Sequence, residues 1–251
     1  MSSVKSIDEI RQFREVLGDE PIELFTNLWT LQDSIADSDL LDGLRSTITF
    51  LEKYHPGLRE ATGPLFEQDF TLEQIDPITA IGVEELFNEL AKSCEIDIED
   101  EMAPPLALAV VSAIQPHAAA AAKAIKPPKK TDQKIGACPV CGGPASLGII
   151  RNEGQAHGGS RELWCSLCDY TWPYPRIKCA RCGNEKQREL QYFFVEEDPS
   201  RRVYVCNECN GTLKVVDETG LGRFCDPRVE DIVIEPLLNA IIADQGLETV
   251  G

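Results

Sequence analysis

A chain of 251 residues is long enough for one large domain or two smaller ones, and with 43% hydrophobic and 26% charged residues most of it can bury a core. Its formal net charge of −18 excludes a basic face for duplex DNA as its main business. Ten cysteines are too few for a disulfide scaffold, yet their spacing is regular. The opening MSSVKSIDEIRQFREVLG has no apolar run of signal-peptide length. The longest apolar stretch, Leu106 to Ile125, is interrupted by Ser112, Gln115, Pro116, His117 and Lys123, which argues against a membrane span. The expectation is a soluble cytoplasmic protein whose thiols stay reduced.

The acidity is concentrated in one part. Residues 1–104 carry 24 Asp+Glu against 7 Lys+Arg, whereas residues 105–251 carry 18 against 17. The first region reads as helical. Ile22, Phe25, Leu28, Trp29 and Ile35 make one stripe, with Pro21 where a first-turn proline is tolerated. Leu41, Leu44, Ile48 and Leu51 make a second, and Val83, Leu86, Phe87 and Leu90 a third. Ser38 and Asp39 offer a cap before Leu40, and Thr71 one before Leu72. Leu106–Ile114 is apolar nearly all round and reads as a buried helix, with a docking helix as the minority reading. The following alanines extend it until Pro127–Pro128 stops it. Lys123, Lys126, Lys129, Lys130 and Lys134 against Asp132 mark a solvated tether. These signals predict four to six helices packed as a bundle.

The cysteines then form an internal repeat. Eight fall in four C-x-x-C pairs: Cys138/Cys141, Cys165/Cys168, Cys179/Cys182 and Cys206/Cys209. Adding 41 to the first four positions gives the last four without slippage. Gly142 and Gly183 follow the second Cys of each half's opening pair, and Arg161 and Arg202 also match. Two cysteines separated by two residues turn both sulfurs toward one ion, and the following Gly permits the left-handed backbone of such a turn. Two such turns joined by a hairpin bring four thiolates into a tetrahedron, the arrangement of zinc ribbons and rubredoxin-like sites. Strand-like segments lie between the turns: Leu147–Arg151 and Glu162–Trp164, then Leu190–Val195 and Arg202–Val205, with hairpin tips at Gly158–Gly159 and Asp198–Pro199. A unit of some 35 residues has too small a core to fold by itself, so metal ligation, on the order of 10 kcal/mol, would fold it. The repeat favours one ion per unit. Cys165/Cys168 and Cys179/Cys182 are close enough in sequence to share an ion as an alternative. Tetrahedral S₄ suits iron and zinc alike, and a site with four thiolates and no open position does not activate water.

The fold class expected is α+β: an N-terminal all-α helical bundle followed by two tandem rubredoxin-like or zinc-ribbon metal modules. The boundaries are 1–126 for the acidic helical domain, 127–136 for a Pro/Lys-rich linker, and 137–175 and 176–216 for the two modules. A C-terminal segment, 217–251, is expected to be helical and packed on the rest. Cys94 reads as a core thiol, and Cys225, in GRFCDPRVED, as structural rather than redox-active. His157 reads as a loop residue, and His55 and His117 have no companions at ligand spacing. Trp164, Tyr170, Trp172 and Tyr174 are expected to pack over the knuckles, with base stacking the minority reading. No nucleophile–base set, P-loop or dinucleotide fingerprint appears, so the chain does not read as an enzyme.

The C-P-V-C-G-G-P run at 138–144, L-W-C-S-L-C at 163–168 with Trp172 downstream, and R-I-K-C-A-R-C-G at 176–183 resemble the formate dehydrogenase accessory protein family. V-C-N-E-C-N-G-T-L-K at 205–214 and C-D-P-R-V-E-D-I at 225–232 do so as well. The resemblance implies an assembly factor that contacts the catalytic subunit of formate dehydrogenase, with iron at two four-cysteine sites. Carried over by position, the ligands are Cys138, Cys141, Cys165, Cys168, Cys179, Cys182, Cys206 and Cys209. A rubredoxin-like electron carrier is the alternative. A nucleic-acid-binding ribbon is less favoured, because residues 138–214 hold 10 Lys+Arg against 9 Asp+Glu and offer little counterion release.

Overall fold

The computed structural model describes residues 3–72, 79–125, 135–151 and 160–246. The chain divides into two compact units, Met1–Ile125 and Lys126–Gly251.

The first unit is helical among its described residues: α1 (Ser3–Ile10), α2 (Arg14–Leu17), α3 (Asp19–Ile35), α4 (Leu40–Leu51), α5 (Leu58–Ala61), α6 (Ala80–Ser93) and α7 (Ala103–Ala124). The apolar stripes face inward. Ile22, Leu28, Trp29 and Ile35 are buried on α3, Leu44, Ile48 and Leu51 on α4, and Leu86 and Leu90 on α6. Asp39 caps α4, its carboxylate accepting the Leu41 N–H at 2.9 Å. Thr71 starts no helix. It and Leu72 are non-helical, residues 73–78 lie outside the described residues, and α6 opens instead behind Thr79, whose Oγ1 accepts the Gly82 N–H at 3.0 Å.

Helix α7 packs against α3, α4 and α6, burying Leu106, Ala109, Val110, Ala113 and Ile114. Among the described residues it is the helix long and apolar enough to cross a membrane by length and composition, and half of its apolar window is buried within the protein. Pro116 sits inside it without ending it. A proline there has no N–H for the carbonyl four residues back, that of Ser112. Gln32 of α3 supplies the replacement, its Nε2 donating to the Ser112 oxygen at 3.1 Å and to Gln115 Oε1 at 2.5 Å. Most of the expected linker, 126–134, lies outside the described residues.

The second unit is one six-stranded sheet in the order β3-β2-β1-β6-β5-β4. Its strands are β1 (Leu147–Arg151), β2 (Ser160–Trp164), β3 (Thr171–Tyr174), β4 (Leu190–Val195), β5 (Asp198–Cys206) and β6 (Thr212–Asp217). Each half of the cysteine repeat contributes a three-stranded antiparallel meander. The halves do not stay separate: β1 pairs in parallel with β6, Leu147 opposite Lys214 through Ile150 opposite Asp217. Strands β3 and β6 carry no clear alternation in sequence. Pro173 in β3 is tolerated because β3 is an edge strand. The second hairpin tip is not Asp198–Pro199. The turn is residues 196–197, Val195 pairs with Asp198, and Asp198 begins β5, where its carboxylate lies 2.6 Å from Arg201. Gly158–Gly159 and His157 lie outside the described residues.

Three short helices follow: α8 (Glu218–Leu221), α9 (Pro227–Val233) and α10 (Glu235–Gln245). Leu147, Ile149, Trp164, Val203, Val205 and Val216 from the sheet pack with Cys225, Ile234 and Ile241 into one core. Asp217 caps α8 and Asp226 caps α9. Charged residues fasten α9 and α10 to the strands. Glu230, fully buried, takes Arg201 in a two-point pair at 2.6 and 2.8 Å, and Lys214 reaches Asp231 at 2.6 Å and Glu235 at 2.8 Å.

Candidate metal centres

The four C-x-x-C turns share one backbone design. In each, the first cysteine's N–H donates to the carbonyl five residues ahead: Cys138 to Gly143 (2.7 Å), Cys165 to Tyr170 (3.0 Å), Cys179 to Asn184 (2.8 Å) and Cys206 to Gly211 (3.0 Å). In each, the same cysteine's carbonyl accepts the N–H four residues ahead: Gly142, Asp169, Gly183 and Asn210. That fourth residue has left-handed backbone every time, with φ of +77, +57, +76 and +56° in the same order. Glycine meets this demand in the first turn of each half. Asp169 and Asn210 meet it in the second, being among the residue types that tolerate the left-handed region best. In the sequence only the glycines stand out. The signal for the other two is a short polar residue directly after the second cysteine.

These turns bring the sulfurs into two groups that can hold a metal ion: Cys138, Cys141, Cys165 and Cys168, and Cys179, Cys182, Cys206 and Cys209, with every sulfur in a group within 4.8 Å of the others. Across the first group Cys138 and Cys168, and Cys141 and Cys165, are 3.5 Å apart. Across the second, Cys179 and Cys209, and Cys182 and Cys206, are 3.8 Å apart. Metal–sulfur bonds of about 2.3 Å in a tetrahedron place sulfurs about 3.8 Å apart, so the donor sets fit a tetrahedral thiophilic ion. The S–H groups of Cys141, Cys165 and Cys168 hold the Cys138 thiol far below its ordinary value, and contact with Cys138 pushes Cys165 and Cys168 far above theirs. Cys138, Cys141, Cys165 and Cys168 would hold a dication as four thiolates. The pairing of Cys165/Cys168 with Cys179/Cys182 is not what the geometry assembles.

The second group receives N–H bonds onto sulfur. Arg181 and Cys182 donate to Cys179 Sγ at 3.3 and 3.5 Å, Gly211 to Cys209 Sγ at 3.4 Å, and Asn184 Nδ2 to Cys206 Sγ at 3.7 Å. The first half of the repeat helps to build it. Arg161 of β2 donates from Nη2 to the carbonyls of Pro175 and Lys178, both at 2.5 Å, and the Tyr174 hydroxyl donates to the Cys179 carbonyl at 2.9 Å. Gly136 (φ +62°) lies so close to Ala180 that an added Cβ would sit 1.7 Å from the Ala180 oxygen. Arg202, the repeat partner of Arg161, instead pairs with Asp217 at 3.2 Å, so equivalent arginines do different work.

The remaining candidates are structural. Trp164 is buried with its Nε1 donating to Asp169 Oδ1 at 2.8 Å, and Trp172 is buried with Tyr170 stacked near it. Neither tryptophan is open to a base. Cys225 is buried in the sheet–helix core, its N–H donating to Glu218 Oε1 at 2.9 Å. Cys94 is half-buried, and burial pushes its thiol up to about 11.

Comparison with known proteins places this architecture. Residues 137–176, the first half of the repeat, match the family model described as FdhE, central domain. A protein FdhE homolog of Aquifex aeolicus is 30% identical over 162 residues, covering 64% of this chain and 54% of that relative. Another, of Stutzerimonas stutzeri, is 42% identical over 87 residues, covering 34% of this chain and 27% of the relative. The matches thus span between about a quarter and about half of these relatives' length. The crystal structure of the FdhE protein from Pseudomonas aeruginosa shares the fold, with a TM-score of 0.64 at 21% identity over 96% of this chain and 90% of that one. With its helical unit and its two four-cysteine groups on one sheet, the chain is similar to FdhE proteins, in sequence over part of their length and in fold over most of the chain.

Proposed function

We propose that this chain is an accessory factor for the making of active formate dehydrogenase, acting by binding the enzyme's catalytic subunit in the cytoplasm rather than by catalysis. The observation that carries the reading is the pair of four-thiol groups built on one continuous sheet, in a chain whose first half-repeat matches the FdhE central domain. Cys138, Cys141, Cys165 and Cys168 would hold one ion, and Cys179, Cys182, Cys206 and Cys209 a second, iron or zinc. Four thiolates would leave no open position for water, so bound ions would supply rigidity, with the cysteine knuckles at the ends of the strands held as a surface for a client. The Arg161 guanidinium, the Tyr174 hydroxyl and the β1–β6 pairing keep the two centres in one fixed relation.

The N–H bonds onto the sulfurs of the second group favour a second reading, a rubredoxin-like one-electron carrier, because such bonds stabilise a more negative iron–thiolate centre. The test is capture of a defined formate dehydrogenase catalytic subunit by the tagged full chain, under reducing and oxidising conditions. Binding abolished by loss of either metal supports the accessory reading. No binding in either condition, together with reversible one-electron bleaching of the metal–thiolate absorption, supports the carrier instead.

A further inference from the structure

The two halves of the repeat keep the same eight cysteines but not the same surroundings. At the first centre all four cysteines are buried, none more than 4% exposed. At the second, Cys179 and Cys206 are buried while Cys182 and Cys209 are partly exposed. Both partly exposed residues are the second cysteine of their pair, whereas every cysteine of the first group is buried.

The cause lies in the residues between the cysteines. The first centre has Pro139 and Val140 in one turn and Ser166 and Leu167 in the other, all half-buried. Their repeat partners are Ala180 and Arg181, then Asn207 and Glu208. Asn207 and Glu208 are exposed. Glu208 lies 3.5 Å from Lys186, itself on the surface. Arg181 lays its stem on Gly211, close to which Cys209 Sγ also lies, and reaches the Thr212 carbonyl at 3.4 Å. The second turn of the first centre is also tied down by a side chain: Ser146 Oγ meets Ser166 Oγ at 2.7 Å and accepts the Ser166 N–H at 3.2 Å. The residue 41 positions on from Ser146 is Gln187, which is exposed. One knuckle pair is thus buried throughout, and the other is partly exposed at its second cysteines.

We infer that the two centres are inequivalent: the second is the reactive one, where small chelators, thiols and electrophiles reach the metal and its thiolates, and the first is a sealed structural centre. A metal-bound thiolate reacts with an electrophile only when the reagent can approach the sulfur, and a chelator takes the ion only by entering along an open edge. Both routes exist at Cys182 and Cys209. At the first centre both require the sheet to open. This inference rests on the reading of the two thiol groups as metal centres.

The test uses the full chain reconstituted with zinc. Zinc per chain is counted first. The protein is then treated with iodoacetamide at neutral pH while released zinc is followed with a colorimetric chelator, and alkylated cysteines are located by mass spectrometry at each time. In the alkylation the sulfur attacks the methylene carbon, a C–S bond forms, the C–I bond breaks and iodide leaves. The expected result is two phases. One zinc leaves early with Cys182 and Cys209 modified at least tenfold faster than Cys138, Cys141, Cys165 or Cys168, and the second zinc leaves only as the sheet unfolds. Two zinc ions lost in one phase, or the first centre modified first, overturns the inference and leaves the metal reading intact. Fewer than two zinc ions at the outset overturns the metal reading and the inference together.

Discussion

The attachment of α9 to the sheet through Glu230 gives a prediction with a magnitude. Glu230 is fully buried and meets the Arg201 guanidinium at two points, 2.6 and 2.8 Å, while Arg201 is itself only 11% exposed. Removing one member of such a pair costs about 3–5 kcal/mol, because the other charge stays buried without it. Arg201 keeps Asp198 at 2.6 Å, and Asp198 is a third exposed, so the lower end applies and Glu230→Ala should cost about 3 kcal/mol. For a unit of this size, about 4 °C per kcal/mol gives a fall of about 12 °C in its melting temperature. The assay is thermal unfolding of the metal-loaded full chain, with hydrogen exchange on peptides from β5 and β6 to assign the loss to the second unit. The double variant Arg201→Met with Glu230→Leu removes both charges and replaces them with apolar volume, and should recover most of the loss. A single variant that melts within about 3 °C of the parent, or a double variant no better than the single, refutes the reasoning.

Other outcomes follow from particular contacts. Cys138→Ser should lower the metal content from two ions to one and destabilise the whole sheet, since β1 is shared through β6, while the helical unit keeps its circular dichroism. Gly136→Ala should weaken metal retention at the second centre and cost more than about 2 kcal/mol, because the Cβ would press on the Ala180 carbonyl at a position with φ of +62°. A titration of zinc affinity checks it. Gln32→Ala should cost about 1–3 kcal/mol in urea unfolding of the helical unit, since the Ser112 carbonyl above Pro116 loses its donor. Cys94, pushed up to about 11, should alkylate about a thousandfold below its maximal rate at pH 8 and speed up about tenfold per pH unit until near 11, because the thiolate forms only as pH approaches the raised value.

Much of this architecture is legible in the residues, and the exceptions have physical causes. The stripes on α3, α4 and α6 are read from periodicity because each helix buries one face and wets the other. The 41-residue repeat exposes both four-cysteine groups because metal ligation restricts spacing more tightly than packing restricts composition. The fusion of the two halves is not legible in this way. Strands β1 and β6 lie far apart in sequence and pair in parallel, and no local pattern encodes a long-range partner. Nor does the repeat reveal that Arg161 reaches forward to Pro175 and Lys178 while Arg202 turns to Asp217: the residue is duplicated and its surroundings are not. The tip at Asp198–Pro199 misleads because aspartate and proline are turn formers by propensity, whereas here Asp198 is held in the strand by Arg201. The run C-D-P-R-V-E-D-I carries the family resemblance without showing what it does. The structure assigns it packing work: Cys225 in the core, Asp226 on the helix cap, Glu230 and Asp231 on the sheet's cations.

The most direct test of two tetrathiolate centres on one sheet is native mass spectrometry of the full chain purified under reducing, anaerobic conditions, joined with X-ray absorption at the metal edge. The account predicts two ions per chain, each coordinated by four sulfurs and nothing else at about 2.3 Å. A single ion per chain, nitrogen or oxygen ligands on the metal, or metal-free protein with the eight thiols joined as disulfides would contradict it.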